Sequence, residues 1–416
     1  MISKIHGKYK AVIQNFTALL SVQFISYLFP FITFPYLTLK LGVIGFGKYG
    51  LFLASISFID SLVAYGFRVS ATNQIAQNSE DTIRVSSVAS SVFIAKVGIM
   101  IVILCLVFIS FQLGLIGSEI RFYLIGIGFL VGNVLLPVWL YQGMQKMAFL
   151  SYSNVLAKCI FTVLIFMGVK SPGDLFWAVG AHSCAYLVSG IFAFAVSIKI
   201  FKLQLRWPGI REVQNQLQSG LSVFLAQLSV SLYSNLNLIV FGVIASDISL
   251  GLYAITEKVY RLGITIAAPF NRAMFPYLAK LRNEHKSSYA AEIRRLVKPL
   301  SLAFALLSIT VFVFAPEIIV LLTEDSVDRD VAINSLRILS IGICVAPYGG
   351  LFTYALVIQG EDKTLLRLVL LIVGINWVLF YPLTKAYDLL GLSILTVFVS
   401  FCVALLKGFA VFRRLN

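Results

Sequence analysis

Twelve stretches of about 20 or more mostly apolar residues follow one another along the chain, separated by short segments where charges collect. A helix that crosses a bilayer needs about this length. The stretches cover residues 11–39, 49–67, 85–112, 122–143, 148–169, 175–198, 217–244, 251–273, 299–322, 336–358, 366–384 and 389–410. The pattern predicts an all-α integral membrane protein with about 12 transmembrane helices. The first stretch is too long for the apolar core of a cleaved signal, and no A-x-A site follows it, so it reads as a span. The eighth, interrupted by Glu257, Lys258 and Arg261, departs most from the pattern.

Composition supports the same class. Of the 416 residues, 59% are apolar and 12% charged, against about 45–50% and about 25% in soluble domains. A globular interior of this size has no room for the excess, which must face lipid. The 33 Lys and Arg against 18 Asp and Glu would suggest a nucleic-acid partner in a soluble protein. In a polytopic one they follow from the enrichment of basic residues in cytoplasmic loops, and no nucleic acid is expected. With the N-terminus inside, the opposite side holds only Lys40, Lys48, Arg121, Lys170, Arg329 and Lys385 among the basic residues outside spans. Inverting the chain or deleting the eighth span spoils this asymmetry. Both termini are therefore expected to be cytoplasmic.

Soluble chemistry finds little support. Cys105, Cys159, Cys184, Cys344 and Cys402 are odd in number and all lie in apolar runs, so neither a disulfide framework nor a zinc site is expected. His6, His182 and His285 are scattered, His182 reading as a packed polar residue, and there is no Walker A or H-E-x-x-H sequence. The G-x-G-x-x-G match from Gly45 to Gly50 follows an apolar helix rather than a strand and reads as a turn between spans. No extramembrane segment is long enough for a domain. The longest, 273–298, is basic; the acidic run Glu324–Asp330 reads as a solvated loop rather than a cation site. Residues 199–216 read as a cytoplasmic interfacial linker, with Trp207, Pro208 and Gly209 among basic and apolar neighbours.

The halves on either side of that linker echo each other. Gly42-Val43-Ile44 before Gly50-Leu51-Phe52 recurs as Gly242-Val243-Ile244 before Gly251-Leu252-Tyr253. Gln142-Gly143-Met144-Gln145-Lys146 after the fourth span recurs as Gln359-Gly360-Glu361-Asp362-Lys363 after the tenth. This predicts two pseudo-symmetric six-helix lobes, residues 1–198 and 217–416. Six spans is an even number, so the lobes run parallel about an axis along the membrane normal. Lobes of this kind around a central cavity are a recurring transporter plan.

Charges inside spans are costly, about 2.5–3.5 kcal/mol each at the centre, and they mark cavities or partners. Here they are Asp60, Lys96, Lys158, Glu257, Lys258 and Arg261, with Arg272 and Arg337 nearer span ends and Arg68 at the edge of the second span. Glu257 and Arg261 are four apart, on one helical face, and are expected to pair. The balance is basic, so a cavity lined by Lys96, Lys158, Lys258, Arg261, Arg68 and Arg272 suits an anion such as a diphosphate. Asp60 and Glu257 are the candidates for proton or sodium coupling. The competing reading is that Lys96 or Lys158 pairs with an acid, Asp60 being available, and only fixes packing. The arginines near span ends compete as interfacial anchors.

Phe34-Pro35-Tyr36-Leu37, Leu41-Gly42, Phe46-Gly47, Tyr65-Gly66-Phe67, Ser70-Ala71-Thr72 and Ile75-Ala76 resemble the N-terminal half of bacterial O-antigen flippases. Pro137-Val138-Trp139-Leu140-Tyr141-Gln142-Gly143 with Lys146-Met147 resembles their segment after the fourth span. These flippases form the polysaccharide-transporter branch of the multidrug, oligosaccharidyl-lipid and polysaccharide exporter superfamily. Relatives often carry an acid where this chain has Gln145, so no acidic role passes to that position.

The resemblance implies a non-enzymatic flippase of the bacterial inner membrane. It would turn undecaprenyl-diphosphate-linked O-antigen units from the cytoplasmic to the periplasmic leaflet by alternating access. Its implied partners are the lipid-linked oligosaccharide, membrane lipid, an O-antigen polymerase and a chain-length regulator; no metal or other cofactor is implied. The rivals are a multidrug exporter of the same architecture, disfavoured by a basic cavity, and an O-antigen polymerase or ligase, disfavoured by short external loops.

Overall fold

The computed structural model describes residues 2–114, 120–284, 286–323 and 328–413, with side chains placed from Leu28 onward except at 120, 272, 273, 276, 283, 284, 286–288 and 290. The fold is all-α, and none of the described residues lies in a strand. The helices begin with α1 (Ile2–Ala64), α2 (Phe67–Gln77), α3 (Thr82–Gln112), α4 (Ile120–Leu135), α5 (Val138–Gly143), α6 (Met147–Gly168) and α7 (Leu175–Phe201). They continue with α8 (Ile210–Ser234), α9 (Leu236–Ile244), α10 (Asp247–Thr265), α11 (Ala267–Glu284) and α12 (Lys286–Val313). The last are α13 (Ala315–Leu322), α14 (Arg329–Ile343), α15 (Ala346–Ile358) and α16 (Asp362–Arg413).

Among the described residues, nine segments are long and apolar enough to cross a membrane. Two of them, the 50-residue Leu28–Gln77 and the 52-residue Asp362–Arg413, are too long for one crossing at about 1.5 Å per residue. Each is broken, at Gly42 (φ 68°) and Asp388 (φ 49°) respectively. The expected eighth span corresponds to α10 and α11; Glu257, Lys258 and Arg261 lower its apolar content. The architecture is thus an all-α membrane protein of about 12 spans.

The turn expected at Gly45–Gly50 is not there. Those residues are helical, and the chain breaks three residues earlier, at Gly42. Positive φ is open to glycine without a Cβ clash, whereas Gly47 serves packing: a Cβ there would fall 2.7 Å from the Gly251 Cα.

The chain forms two compact units. The first comprises Phe29–Leu41 and Lys48–Ile239; the second comprises the residues up to Leu28, Gly42–Gly47, and the chain from Val240 onward. In the first unit α4 and α7 cross closely. Gly128 and Gly132 are one turn apart on α4, and a Cβ on Gly132 would strike the Tyr186 carbonyl, while one on Gly190 would strike the Gly132 carbonyl. Such small-residue crossings let membrane helices approach backbone to backbone. Phe67, Ile75, Trp139, Leu140 and Tyr141 are buried beside them. The helix α8 packs in this unit on α2, with Tyr65 stacked on Phe224 (4.5 Å between centroids) and Gln216 donating to Gln74 at 2.8 Å.

The second unit has its own core around Tyr260, Leu278, Tyr289, Leu339, Ile343 and Phe352. Hydroxyls tie its helices together. Tyr253 and Thr396 share a hydrogen bond of 2.9 Å, Tyr260 and Ser400 one of 3.0 Å, and Ser335 bridges Thr256 (3.0 Å) and Ser393 (2.7 Å).

Candidate functional site

In the first unit the buried charge centres on Lys96, only 6% exposed in the middle of α3. Its ammonium donates to the carbonyls of Asn133 (2.7 Å) and Val134 (3.3 Å) at the end of α4. The sequence explains why those oxygens need a donor. An α-helix would supply the N–H of residue 137 to Asn133 and that of residue 138 to Val134. Residue 137 is proline, which has no N–H, and Val138 donates instead to Leu136 at 3.0 Å. Lys96 therefore caps the break where α4 gives way to α5, and the half-buried Asp60 lies within its electrostatic range.

Tyr186 on α7 is also within range of Asp60. One turn away, His182 sits in an aromatic setting: the Phe129, Phe161 and Tyr186 ring centroids lie 5.2, 5.2 and 5.0 Å from it, and Tyr49 hydrogen-bonds its Nδ1 at 3.2 Å. This fits the reading of a packed polar histidine. Lys158 is half-buried on α6, and Arg68 is exposed in the first turn of α2.

In the second unit the expected i, i+4 pair is present. Arg261 Nε donates to Glu257 Oε1, with the arginine side chain 40% and the glutamate 12% exposed. Lys258 is half-buried beside them, within electrostatic range of both. Glu257 shares the face of α10 that carries Tyr253 and Tyr260, whose hydroxyls engage α16. The three charges sum to one positive charge, so the face suits an anion better than a cation. Arg337 stacks over Phe312 at 5.5 Å. The Arg272 side chain lies outside the described residues, as do Glu324–Val327 of the acidic run.

One buried charge escaped the sequence reading. Lys407 on α16 is 5% exposed, with its ammonium 2.9 Å from Thr353 Oγ1. Its place inside the twelfth apolar stretch was the available signal, masked by its nearness to the basic C-terminal end. All five cysteines are free, and no three His, Cys, Asp or Glu among the described residues are placed to hold a metal.

The fold is similar to that of solved transporters. One structure, described as the inward-facing conformation of a multidrug resistance MATE family transporter of the MOP superfamily, matches with a TM-score of 0.79 over 96% of this chain and 98% of that one, at 18% identity. A MOP superfamily transporter from Pyrococcus furiosus, whose description speaks of reverse polarity of its binding pocket, matches with a TM-score of 0.68 at 18% identity, over 98% of this chain and 96% of that one. Fold and spans together define an all-α, multi-pass membrane protein with the fold of those structures.

A family model described as "Polysaccharide biosynthesis protein" matches residues 12–282, and the chain belongs to that family. Two relatives carry the name "Putative O-antigen transporter". The one from Escherichia coli K12 is 26% identical over 92% of both chains; the one from Shigella dysenteriae is 24% identical over 94% of this chain and 98% of its own. The likeness to these two relatives covers nearly the whole chain and is not confined to the N-terminal motifs.

Proposed function

We propose that this transporter is a flippase. It moves undecaprenyl-diphosphate-linked O-antigen oligosaccharide from the cytoplasmic to the periplasmic leaflet of a bacterial inner membrane by alternating access, with both termini cytoplasmic. The observation that carries the reading is the basic face of α10, where Lys258 and Arg261 outnumber Glu257 within a span. Guanidinium and ammonium groups recognise a diphosphate or an acidic sugar through charge-assisted hydrogen bonds, which are stronger in low dielectric. The names of the relatives support the same cargo class. Lys96, Lys158, Arg68 and Arg272 are the further candidates for holding the anion, and Asp60 and Glu257 for coupling to protons or sodium. The polymerase and chain-length regulator that use the product are the expected partners.

A second reading, multidrug export, is favoured by the descriptions of the solved neighbours. Against it stands the same basic face, which repels cationic drugs.

Deleting the gene in its host and locating the lipid-linked repeat unit separates the readings. Loss of O-antigen from lipopolysaccharide, with repeat units held at the cytoplasmic leaflet, is expected. Periplasmic, unpolymerised repeat units would point to a polymerase, and normal lipopolysaccharide to drug export. Complementation with alanine at Lys96, Lys158, Lys258 or Arg261, at matched protein levels, then tests the anion-binding residues. Full activity in all four would remove them from the site.

A further inference from the structure

The segment joining α7 to α8 is strapped to the end of α3. In an α-helix, side chains four residues apart are about 6 Å apart along one face, and alternate residues of an extended chain are about 6.6 Å apart. The match is used here. Ser86 and Ser90 accept hydrogen bonds from the backbone N–H groups of Gln204 (3.0 Å) and Arg206 (3.1 Å). The adjoining pair, Ser87 and Ser91, reaches Glu212 at the start of α8 (3.4 and 3.5 Å). Arg206 closes the clamp, donating to Glu212 at 2.6 Å and Ser87 at 3.0 Å.

This clamp fixes what the strap shows to its surroundings. Trp207 is 85% exposed and Ile210 79%, with Leu205 also exposed. A packed strap that leaves its tryptophan bare presents it to something. Lys199, Lys202 and Arg211 around it are exposed too, and Arg206 is already paired with Glu212. The strap lies where two spans leave the bilayer, at the level where tryptophan collects. Anionic head groups attract juxtamembrane Lys and Arg there.

We propose that residues 199–211 form a docking surface for anionic phospholipid. Trp207, Leu205 and Ile210 enter the head-group boundary while Lys199, Lys202 and Arg211 bind the lipid phosphates. The occupant is the surrounding leaflet rather than the cargo, so the proposal stands whichever cargo the transporter moves.

The test uses purified full-length protein in detergent micelles doped with phosphatidylglycerol, phosphatidylcholine, inorganic phosphate or undecaprenyl diphosphate, with the thermal midpoint as readout. Phosphatidylglycerol is expected to raise the midpoint of the wild type, and phosphatidylcholine and inorganic phosphate to leave it unchanged. The Lys199→Gln/Lys202→Gln/Arg211→Gln variant, folded with a wild-type midpoint in phosphatidylcholine, is expected to need about tenfold or more phosphatidylglycerol for the same shift. In vesicles of equal parts phosphatidylglycerol and brominated phosphatidylcholine, the emission lost in Trp207→Phe should be the quenched component. An undiminished response in the triple variant, or an unquenched Trp207, overturns the proposal. A shift given equally by inorganic phosphate would make it a soluble-anion site. A shift given by undecaprenyl diphosphate alone would make it a cargo-capture site, and either result overturns the lipid reading.

Discussion

Lys96 supplies the hydrogen that Pro137 withholds: its ammonium, 2.7 Å from the Asn133 carbonyl, stands where the missing N–H of residue 137 would donate. The lysine is a cap on a broken helix as well as a charge in a span. Lys96→Met keeps most of the side-chain volume and removes the donor. It leaves two buried carbonyls unmet and Asp60 without its neighbouring cation, so it should cost about 2–3 kcal/mol of stability. Thermal unfolding in detergent checks this. Asp60→Asn added to Lys96→Met should recover part of the loss, because the two charges are coupled. Additive losses would show that Asp60 and Lys96 act separately.

The triad on α10 is expected to behave differently. Arg261 is 40% exposed but its partner Glu257 only 12%, so Arg261→Ala alone strands a nearly buried carboxylate and should cost about 1–3 kcal/mol. Lys258→Ala, and Arg261→Ala combined with Glu257→Gln, should leave the unfolding midpoint nearly unchanged while lowering O-antigen display about tenfold. Glu257→Gln alone should fall between wild type and these variants in display. A large drop in midpoint for the double variant, or full display in it, would make the pair scaffold and remove it from the proposed anion site.

These two sites show where sequence reasoning reached and where it stopped. The spans were legible because long apolar runs have one structural use in a chain this hydrophobic, and the Glu257–Arg261 pair because both partners lie on one helix. The partner of Lys96 was not legible: its main acceptors are backbone oxygens 37 and 38 residues away, and backbone oxygens leave no trace in side-chain identity. Pro137 announced the break without saying what would cap it. Within the internal repeat that the sequence predicts, one local correspondence differs in register. Sequence aligns Gly143 with Gly360, whereas the structure gives Gly360 (φ 74°) the role of Gln145 (φ 56°). At each, the next residue's N–H bonds the carbonyl five residues back, Lys146 to Tyr141 at 2.8 Å and Glu361 to Leu356 at 3.0 Å.

That equivalence yields a pair of opposite substitutions. A left-handed residue after a helix end is most often glycine, because any Cβ raises its cost. Gln145→Gly should stabilise the protein by about 0.5–1 kcal/mol, and Gly360→Gln should destabilise it by about 1 kcal/mol. Unfolding midpoints of the two variants against wild type decide the matter. A Gln145→Gly protein less stable than wild type would mean that the glutamine side chain holds a contact worth more than the backbone strain.

The α4–α7 crossing is expected to be the least tolerant place in the first unit. A methyl on Gly190 would lie 2.2 Å from the Gly132 carbonyl oxygen, and backbone there cannot yield without separating the helices. Gly190→Ala should lower the yield of monodisperse protein severely. Gly98→Ala is the control, since nothing lies within 4 Å of its added Cβ, and it should be neutral or stabilising by about 0.5–1 kcal/mol. Comparable yields of both variants on size-exclusion chromatography would show that the crossing can loosen.

Asp174 gives a pH-dependent prediction outside the spans. Its carboxylate accepts from the backbone N–H groups of Lys170 (2.9 Å) and Ser171 (2.8 Å) and from the Ser171 hydroxyl (2.9 Å). The Lys170 N–H is the largest influence, and together these donors hold the carboxyl below its usual range. A carboxyl whose folded pKa is depressed stabilises the folded loop at every pH above its unfolded value, about 3.9. That contribution disappears as pH falls through the lower folded value. Amide exchange at Lys170 and Ser171, corrected for intrinsic rates, should stay slow at neutral pH and accelerate only in acid. In Asp174→Ala both amides should exchange fast throughout. Equal protection in the variant at neutral pH would show that the turn is held by its backbone bond from Asp174 N–H to the Ser171 carbonyl (3.1 Å), and not by the carboxylate.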